Sequence, residues 1–229
     1  MFGSSGSSRG VVPRGLGRAY GDAAQRAGGT VLDVTRMDHL FGVDASTGTV
    51  SAGGGASIDQ LIREALPCGW FVPVTPGTRH VTVGGALAAD VHGKNHHRDG
   101  SIGTWVESIE LVTPNGIRHV SPNEGSDLFW ATMGGMGLTG VVSRATFRLI
   151  PVETSWMLID TVRTTCLNDT LSALADNDVR HRYSVAWLDC LSRGRSFGRG
   201  VITGGDHARL DDLGDLSAAQ RETPLDPPS

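Results

Sequence analysis

Apolar positions along the chain come in short runs separated by polar residues and glycine, a pattern richer in strands than in helices. GVVPRGLGRAYGD (10–22) carries a short apolar run into a glycine loop, and TVLDV (30–34) reads as a second buried strand. LFGVDASTGTVSAGGG (40–55) predicts a hairpin turning at Ser46–Gly48. Ser57 with Gln60 three residues later is a capping-box signature, and Ile58, Leu61, Ile62, Ala65 and Leu66 then follow helical spacing. WFVPVTPG (70–77) reads as extended and GGALAAD as a short, closely packed helix. WVESIELVTPNGIRHVSP (105–122) predicts a hairpin turning at Asn115-Gly116. SDLFWATMGG (126–135) predicts a capped helix, and GVVSRATFRLIP (140–151) a strand ended by proline. The style changes at 151–155. SWMLIDTV, a polar helix near 168–176, YSVAWLDCL and GRGVITGG predict strands and a helix of a second unit, between a flexible GSSGSS lead-in and a polar DPPS tail.

Composition narrows the function classes. With 39% hydrophobic and 19% charged residues the chain has material for a packed core. A net charge of −4 argues against a dedicated nucleic-acid binder. No apolar run reaches membrane-spanning length and MFGSSGSSRG holds no apolar signal region, so the expected location is the cytoplasm or its membrane face. Cys68, Cys166 and Cys190 are odd in number and widely spaced, which predicts reduced, buried thiols. Glycine supplies 32 of the 229 residues, twice the usual share of about 7%. The glycines cluster at 15–21, 53–55, 84–85 and 134–140, beside apolar segments, where backbone can approach a ligand closely.

Three stretches carry candidate chemistry. GMGLTG (135–140) has Rossmann-like glycine spacing, but a helix precedes it and a strand follows, the reverse of the order that seats a pyrophosphate on a helix N-terminus. RGLGRAYGD (14–22) follows a strand and offers consecutive loop amides, with Arg14 and Arg18 adding positive charge. No Gly-Lys-Ser/Thr follows, so it is not a P-loop. TVGGALAADVHGKNHH (82–97) ends in His92, His96 and His97. Its readings are a zinc site, disfavoured by Lys94 among the ligands, a solvated histidine-rich loop, or an anionic cofactor approached by Gly84-Gly85 at a helix N-terminus.

Taken together in this order, RGLGRAYGD, PGTRHVTVGGALAADVHGKNHH and GGMGLTGVV resemble the flavoprotein oxidoreductases of the vanillyl-alcohol oxidase and p-cresol methylhydroxylase type, from about residue 9 through YSVAWLDCL. The resemblance implies an α+β, two-subdomain FAD-binding fold at residues 1–151, lacking its first strand–helix piece, followed at 152–229 by the start of an incomplete α+β substrate domain. Arg14, Gly15, Leu16, Gly17, Arg18, Ala19, Tyr20, Gly21 and Asp22 would form the first pyrophosphate loop. Gly77, Thr78, Thr82, Val83, Gly84 and Gly85 would form the second, with Ala88, Ala89, His92, Gly93 and Asn95 along the flavin and Val142 at the adenosine. Many relatives bond a histidine of the first loop covalently to flavin. Gly17-Arg18-Ala19 stand there in this chain, which implies non-covalent FAD.

The implied activity is oxidation of the ribose 2′-hydroxyl of a polyprenyl-phosphate sugar to a ketone, with hydride passing to flavin N5. Tyr20, His92 and Lys94 are the implied catalytic residues. This is the first half of an epimerisation supplying the arabinose donor for cell-wall arabinan. An NAD(P)H-dependent keto-reductase completes it, and the family's placement adds a periplasmic alternative and peripheral membrane association. A free sugar, alditol or aldonolactone substrate is the alternative within the superfamily, and an inactive FAD-fold remnant the alternative outside catalysis. The missing pieces lead us to expect weak FAD retention and negligible steady turnover from the chain alone.

Overall fold

A computed structural model describes residues 10–214 and 225. The GSSGSS lead-in and the DPPS tail lie outside the described residues. In chain order the elements are β1 (Val11–Arg14), β2 (Thr30–Asp33), β3 (Leu40–Asp44), β4 (Thr49–Gly53), α1 (Ile58–Ala65), β5 (Trp70–Phe71), α2 (Val83–Ala88) and α3 (His96–Asp99). There follow β6 (Val106–Thr113), β7 (Gly116–Val120), α4 (Ser126–Thr132), β8 (Val141–Arg148) and β9 (Ile150–Pro151). The last are β10 (Met157–Thr164), α5 (Leu167–Arg180), β11 (Tyr183–Leu188) and β12 (Gly200–His207). Two compact units divide them. One holds Met1–His92 with Ser101–Pro151, the other Gly93–Gly100 with Val152–Ser229.

The first unit is built on a five-stranded antiparallel sheet in the order β3-β4-β8-β6-β7. Period-two alternation sends one set of side chains inward. Val50 pairs with Phe147, and Ala145 lies between Ala52 and Ile109, all buried. A separate parallel pair, β1 with β2, brackets the first glycine loop. The capping box of α1 forms as its sequence suggests: Gln60 N–H donates to Ser57 Oγ at 3.1 Å, and Ser57 N–H to Gln60 Oε1 at 2.8 Å. Ile58, Leu61, Ile62 and Ala65 turn its apolar stripe into the core.

Several local expectations shift. The β6–β7 ladder pairs Thr113 with Gly116, so the two turn residues are Pro114 and Asn115, one position earlier than expected. The Thr113 hydroxyl donates to Gly116 C=O at 2.8 Å and closes the turn there. The expected cap of α4 is absent: Gly125, in the left-handed region, occupies the N-cap without a side-chain bond. Cys68 and Cys190 are exposed rather than buried, one following α1 and the other following β11. All three cysteines are free thiols.

The second unit is a three-stranded antiparallel sheet, β10-β12-β11, packed with α5. The helix runs four residues beyond the expected end, to Arg180. Within this unit Tyr183 Oη lies 3.0 Å from His207 Nε2, the two rings edge to face. Burial pushes the Tyr183 phenol up to about 12, helped by the Asp99 and Asp206 carboxylates against the opposing Arg182. Burial and then Arg182 push His207 down to about 4, against Asp206. Both groups are therefore neutral near pH 7.

An N-cap of this kind is worth ~1 kcal/mol, so Ser57→Ala should lower the unfolding free energy by that amount, seen as a lower denaturant midpoint with an unchanged slope. For His207 the unfolded state binds a proton near 6.5 and the folded state resists protonation down to about 4. The unfolded chain thus takes up more protons in between, and stability present above 6.5 is lost as pH falls through about 4. Denaturant midpoints across that window should fall less steeply in His207→Gln than in the parent chain.

Candidate functional site

The short helix α2 organises the first unit. A helix of six residues leaves nearly all its end amides and carbonyls without internal partners, and each needs one when buried. At the N-terminal end, Val83 N–H donates to Ala56 C=O at 2.7 Å and Gly84 N–H to Gly54 C=O at 2.8 Å. Gly85 N–H donates to the Thr82 hydroxyl at 3.2 Å. At the other end, Leu87 C=O accepts from Gly134 N–H at 3.0 Å and Ala88 C=O from Met136 N–H at 2.8 Å. The second and fourth glycine clusters are thereby bonded to opposite ends of one turn and a half of helix.

These approaches tolerate no side chains. A Cβ on Gly54 would strike the Val142 carbonyl, and one on Gly84 would sit 3.0 Å from Gly54 O. A Cβ on Gly15 would collide with the Thr82 side chain, which places the first glycine loop directly against the N-cap of α2. Gly137, with φ +78, would bring a Cβ within 3.0 Å of Pro13 Cγ. Four clusters far apart in sequence therefore pack as one body.

Between them runs an open groove that encloses about 160 Å³. Arg14, Gly15, Leu16, Gly17, Arg18 and Ala19 line one wall. Thr82, Gly84, Gly85, Ala88 and Ala89 line another, and Val142 stands on the third with Gly137 and Gly140. Val34, Val81, Val91 and Val141 add apolar surface. Pro13, Ala23, Ala24, Ala86, Thr132 and Met136 complete it, without having been identifiable as site residues from sequence.

The two anion-binding expectations fare differently. The first-turn amides of α2 are all bonded within the protein, so Gly84 and Gly85 serve as bare, close-packed wall rather than as amide donors to a diphosphate. Along the first loop, by contrast, no backbone N–H from Leu16 to Asp22 donates to an acceptor among the described residues. Gly17 and Gly21 turn the loop with φ +65 and +74, and Arg14 and Arg18 of the loop line the groove. Of the two stretches, this loop is the one with backbone donors still available to an anion.

Other expected site residues lie elsewhere. Val83 is wholly buried in the core. Tyr20 is fully exposed at the end of the first loop, with Gly21 and Asp22 beyond it. Gly77 and Thr78 do not line the groove. The Thr78 hydroxyl instead accepts from His80 N–H at 3.2 Å. His92 is exposed and pairs with Ser101 where the chain leaves and re-enters the first unit. Gly93, Lys94 and Asn95 belong to the second unit. Asp90, weighed from sequence only as a carboxylate near the histidines, closes the point of departure and return. With φ +41 it holds Ser101 Oγ at 2.8 Å and Gly103 N–H at 2.9 Å. A non-glycine residue in that conformation persists only where its surroundings dictate it. Among the described residues no group of three His, Cys, Asp or Glu side chains comes together to hold a metal.

The sequence pattern of the FAD binding domain family matches residues 6–121. The chain belongs to that family. The groove fits FAD: loop amides and two arginines for the diphosphate, glycine walls that admit close approach, and valine and alanine surface for the ring systems. This FAD-binding domain is 48% identical over 208 residues to decaprenylphosphoryl-beta-D-ribose oxidase of Mycolicibacterium smegmatis, covering 90% of the chain and 45% of that protein. It is 49% identical over 152 residues to an uncharacterized protein of Streptomyces coelicolor, covering 66% and 41%. It is 31% identical over 159 residues to cytokinin dehydrogenase 10 of Oryza sativa subsp. japonica, covering 65% and 29%. The chain thus spans less than half the length of these relatives.

Gly15→Val should separate the first loop from Thr82 and raise the dissociation constant for FAD at least tenfold by flavin fluorescence titration. Gly77→Ala, with open space around it, no positive φ and no place in the groove, should have a smaller effect.

Proposed function

We propose that this FAD-binding domain serves an oxidoreductase that converts the ribose 2′-hydroxyl of decaprenylphosphoryl-β-D-ribose to a ketone. The observation that carries the reading is 48% identity over nine-tenths of the chain to an oxidase of that name, combined with a groove lined by three of the four glycine clusters. When bound, FAD supplies the hydride acceptor.

The residues of this chain divide the remaining work. The amides of Leu16 to Asp22, with Arg14 and Arg18, hold the diphosphate, and the valine-lined walls exclude water from the rings. Loss of hydride from C2′ leaves the hydroxyl proton to be taken up, and a ring nitrogen of His92 is the base we assign to it. Lys94 binds the substrate phosphate as a point charge. Tyr20 makes a hydrogen bond to the sugar through its phenol oxygen. Non-covalent attachment follows from Arg18 and Ala19, neither of which can form the flavin bond that a histidine makes.

The further assignments are an NAD(P)H-dependent keto-reductase on a separate chain, arabinan synthesis as the destination, and action at a membrane face, on the cytoplasmic or the periplasmic side. The scheme makes association with the lipid-linked substrate peripheral; no helix among the described residues is long and apolar enough to cross a membrane.

The test is anaerobic single-turnover bleaching of bound flavin. Decaprenylphosphoryl-β-D-ribose should bleach it, and free ribose, alditols and aldonolactones should not. Bleaching by an aldonolactone with no requirement for the lipid phosphate would replace this reading with the other superfamily chemistry. Absence of any saturable FAD binding would leave an inert remnant. Acid precipitation of the loaded protein should release all the flavin into the supernatant.

A further inference from the structure

Residues 93–100 form an excursion of the chain into the second unit, and side chains far along the sequence hold it there. Asp99, its side chain 9% exposed, receives Arg182 at two points: Nε donates to Oδ2 at 2.7 Å and Nη2 to Oδ1 at 2.9 Å. Asn95, wholly buried, donates Nδ2 to the same Oδ2 at 2.6 Å. The main chain is held as well, because Ser184 N–H donates to Lys94 C=O at 2.9 Å. Asn177 Nδ2 in turn donates to Ser184 Oγ at 2.9 Å. On its other side Arg182 N–H donates to Asp206 Oδ1 at 2.8 Å, so the arginine is anchored at both ends.

A four-residue helix such as α3 has no stability of its own. Its conformation is therefore set by these contacts, and a two-point guanidinium–carboxylate pair fixes direction as well as distance. Lys94 is exposed, as are His96, His97 and Arg98, but it is Lys94 whose main chain is held directly. Its own carbonyl is bonded to β11, and its neighbour Asn95 is bonded to Asp99.

We propose that Asp99 and Arg182 are positioning residues that fix the backbone at Lys94 and so determine where its ammonium group meets the phosphate of the substrate. The proposal rests on the reading of Lys94 given under the proposed function. Neither residue touches substrate in this scheme. They act through Lys94, and their removal changes how well the phosphate is bound before it changes the chemical step.

The experiment compares Arg182→Met, Asp99→Asn and the conservative Arg182→Lys with the parent chain. Hydrogen exchange of the 93–100 segment and the rate at which an amine-reactive acylating reagent modifies Lys94 are read by mass spectrometry. Arg182→Met and Asp99→Asn should speed exchange in this segment at least tenfold and alter Lys94 labelling, with β10 and β12 keeping their protection. Arg182→Lys, which keeps the charge and one hydrogen bond, should recover part of both. In the single-turnover assay the half-saturating concentration of decaprenylphosphoryl-β-D-ribose should rise about tenfold in Arg182→Met, with a smaller change in limiting rate, as expected for a displaced binding group. Unchanged exchange and labelling would overturn the proposal, as would loss of protection spread evenly over the second unit. If the parent chain fails to oxidise the substrate, the functional reading falls, while the exchange and labelling results still decide whether the clamp sets Lys94.

Discussion

The first unit depends on the need of a very short helix to find partners for its backbone at both ends. Six residues of α2 provide almost no internal hydrogen bonding, so its amides go to the carbonyls of Ala56 and Gly54 and its carbonyls to the amides of Gly134 and Met136. Buried main-chain groups left unbonded would each cost about 1–3 kcal/mol, which makes these pairings obligatory rather than decorative. The same bonds that satisfy the helix bring the glycine segments within contact of one another. The groove lined by Gly15, Gly84 and Gly137 results from this docking.

Glycine enters this scheme chiefly as the absence of a Cβ between two backbones. Gly54 lies against Val142 and Gly84 against Gly54, so the two walls meet at backbone contact distance. With those contacts fixed, the loop from Leu16 to Asp22 is left as the stretch with unbonded amides, and it is flanked by arginines. The free backbone donors therefore lie on the first loop, and the helix supplies shape.

Much of this was legible in the sequence because it is local. Ser57 and Gln60 announce the capping box, Ser46 to Gly48 the first turn, and the arginine-bearing loop its proximity to a strand. The α+β FAD-binding fold and its cofactor follow from the order of the glycine stretches and agree with the family match. What was not legible depends on long-range partners. Nothing near Gly84 in sequence says that its amide is taken by Gly54, so the helix N-terminus read as an open anion site. Asp90 looks like any helix-ending carboxylate until Ser101 and Gly103 are seen folded onto it. Arg182 lies 83 positions from Asp99, and no periodicity links them. The turn of β6–β7 slipped by one residue because the Thr113 hydroxyl bond outweighs the usual preference for Asn-Gly at the turn centre.

The excursion at 93–100 bears on how the molecule can be divided. The chain passes from one unit to the other after His92, after Gly100 and after Pro151, so a single cut does not separate two self-sufficient pieces. Severed at Pro151, the amino-terminal part would keep Asp99 and Asn95 while parting with Arg182 and Ser184. It would carry an eight-residue loop stripped of its anchors and an Asp99 carboxylate without its guanidinium. The cofactor-bearing half thus borrows the shape of one of its own loops from residues that follow it in the chain.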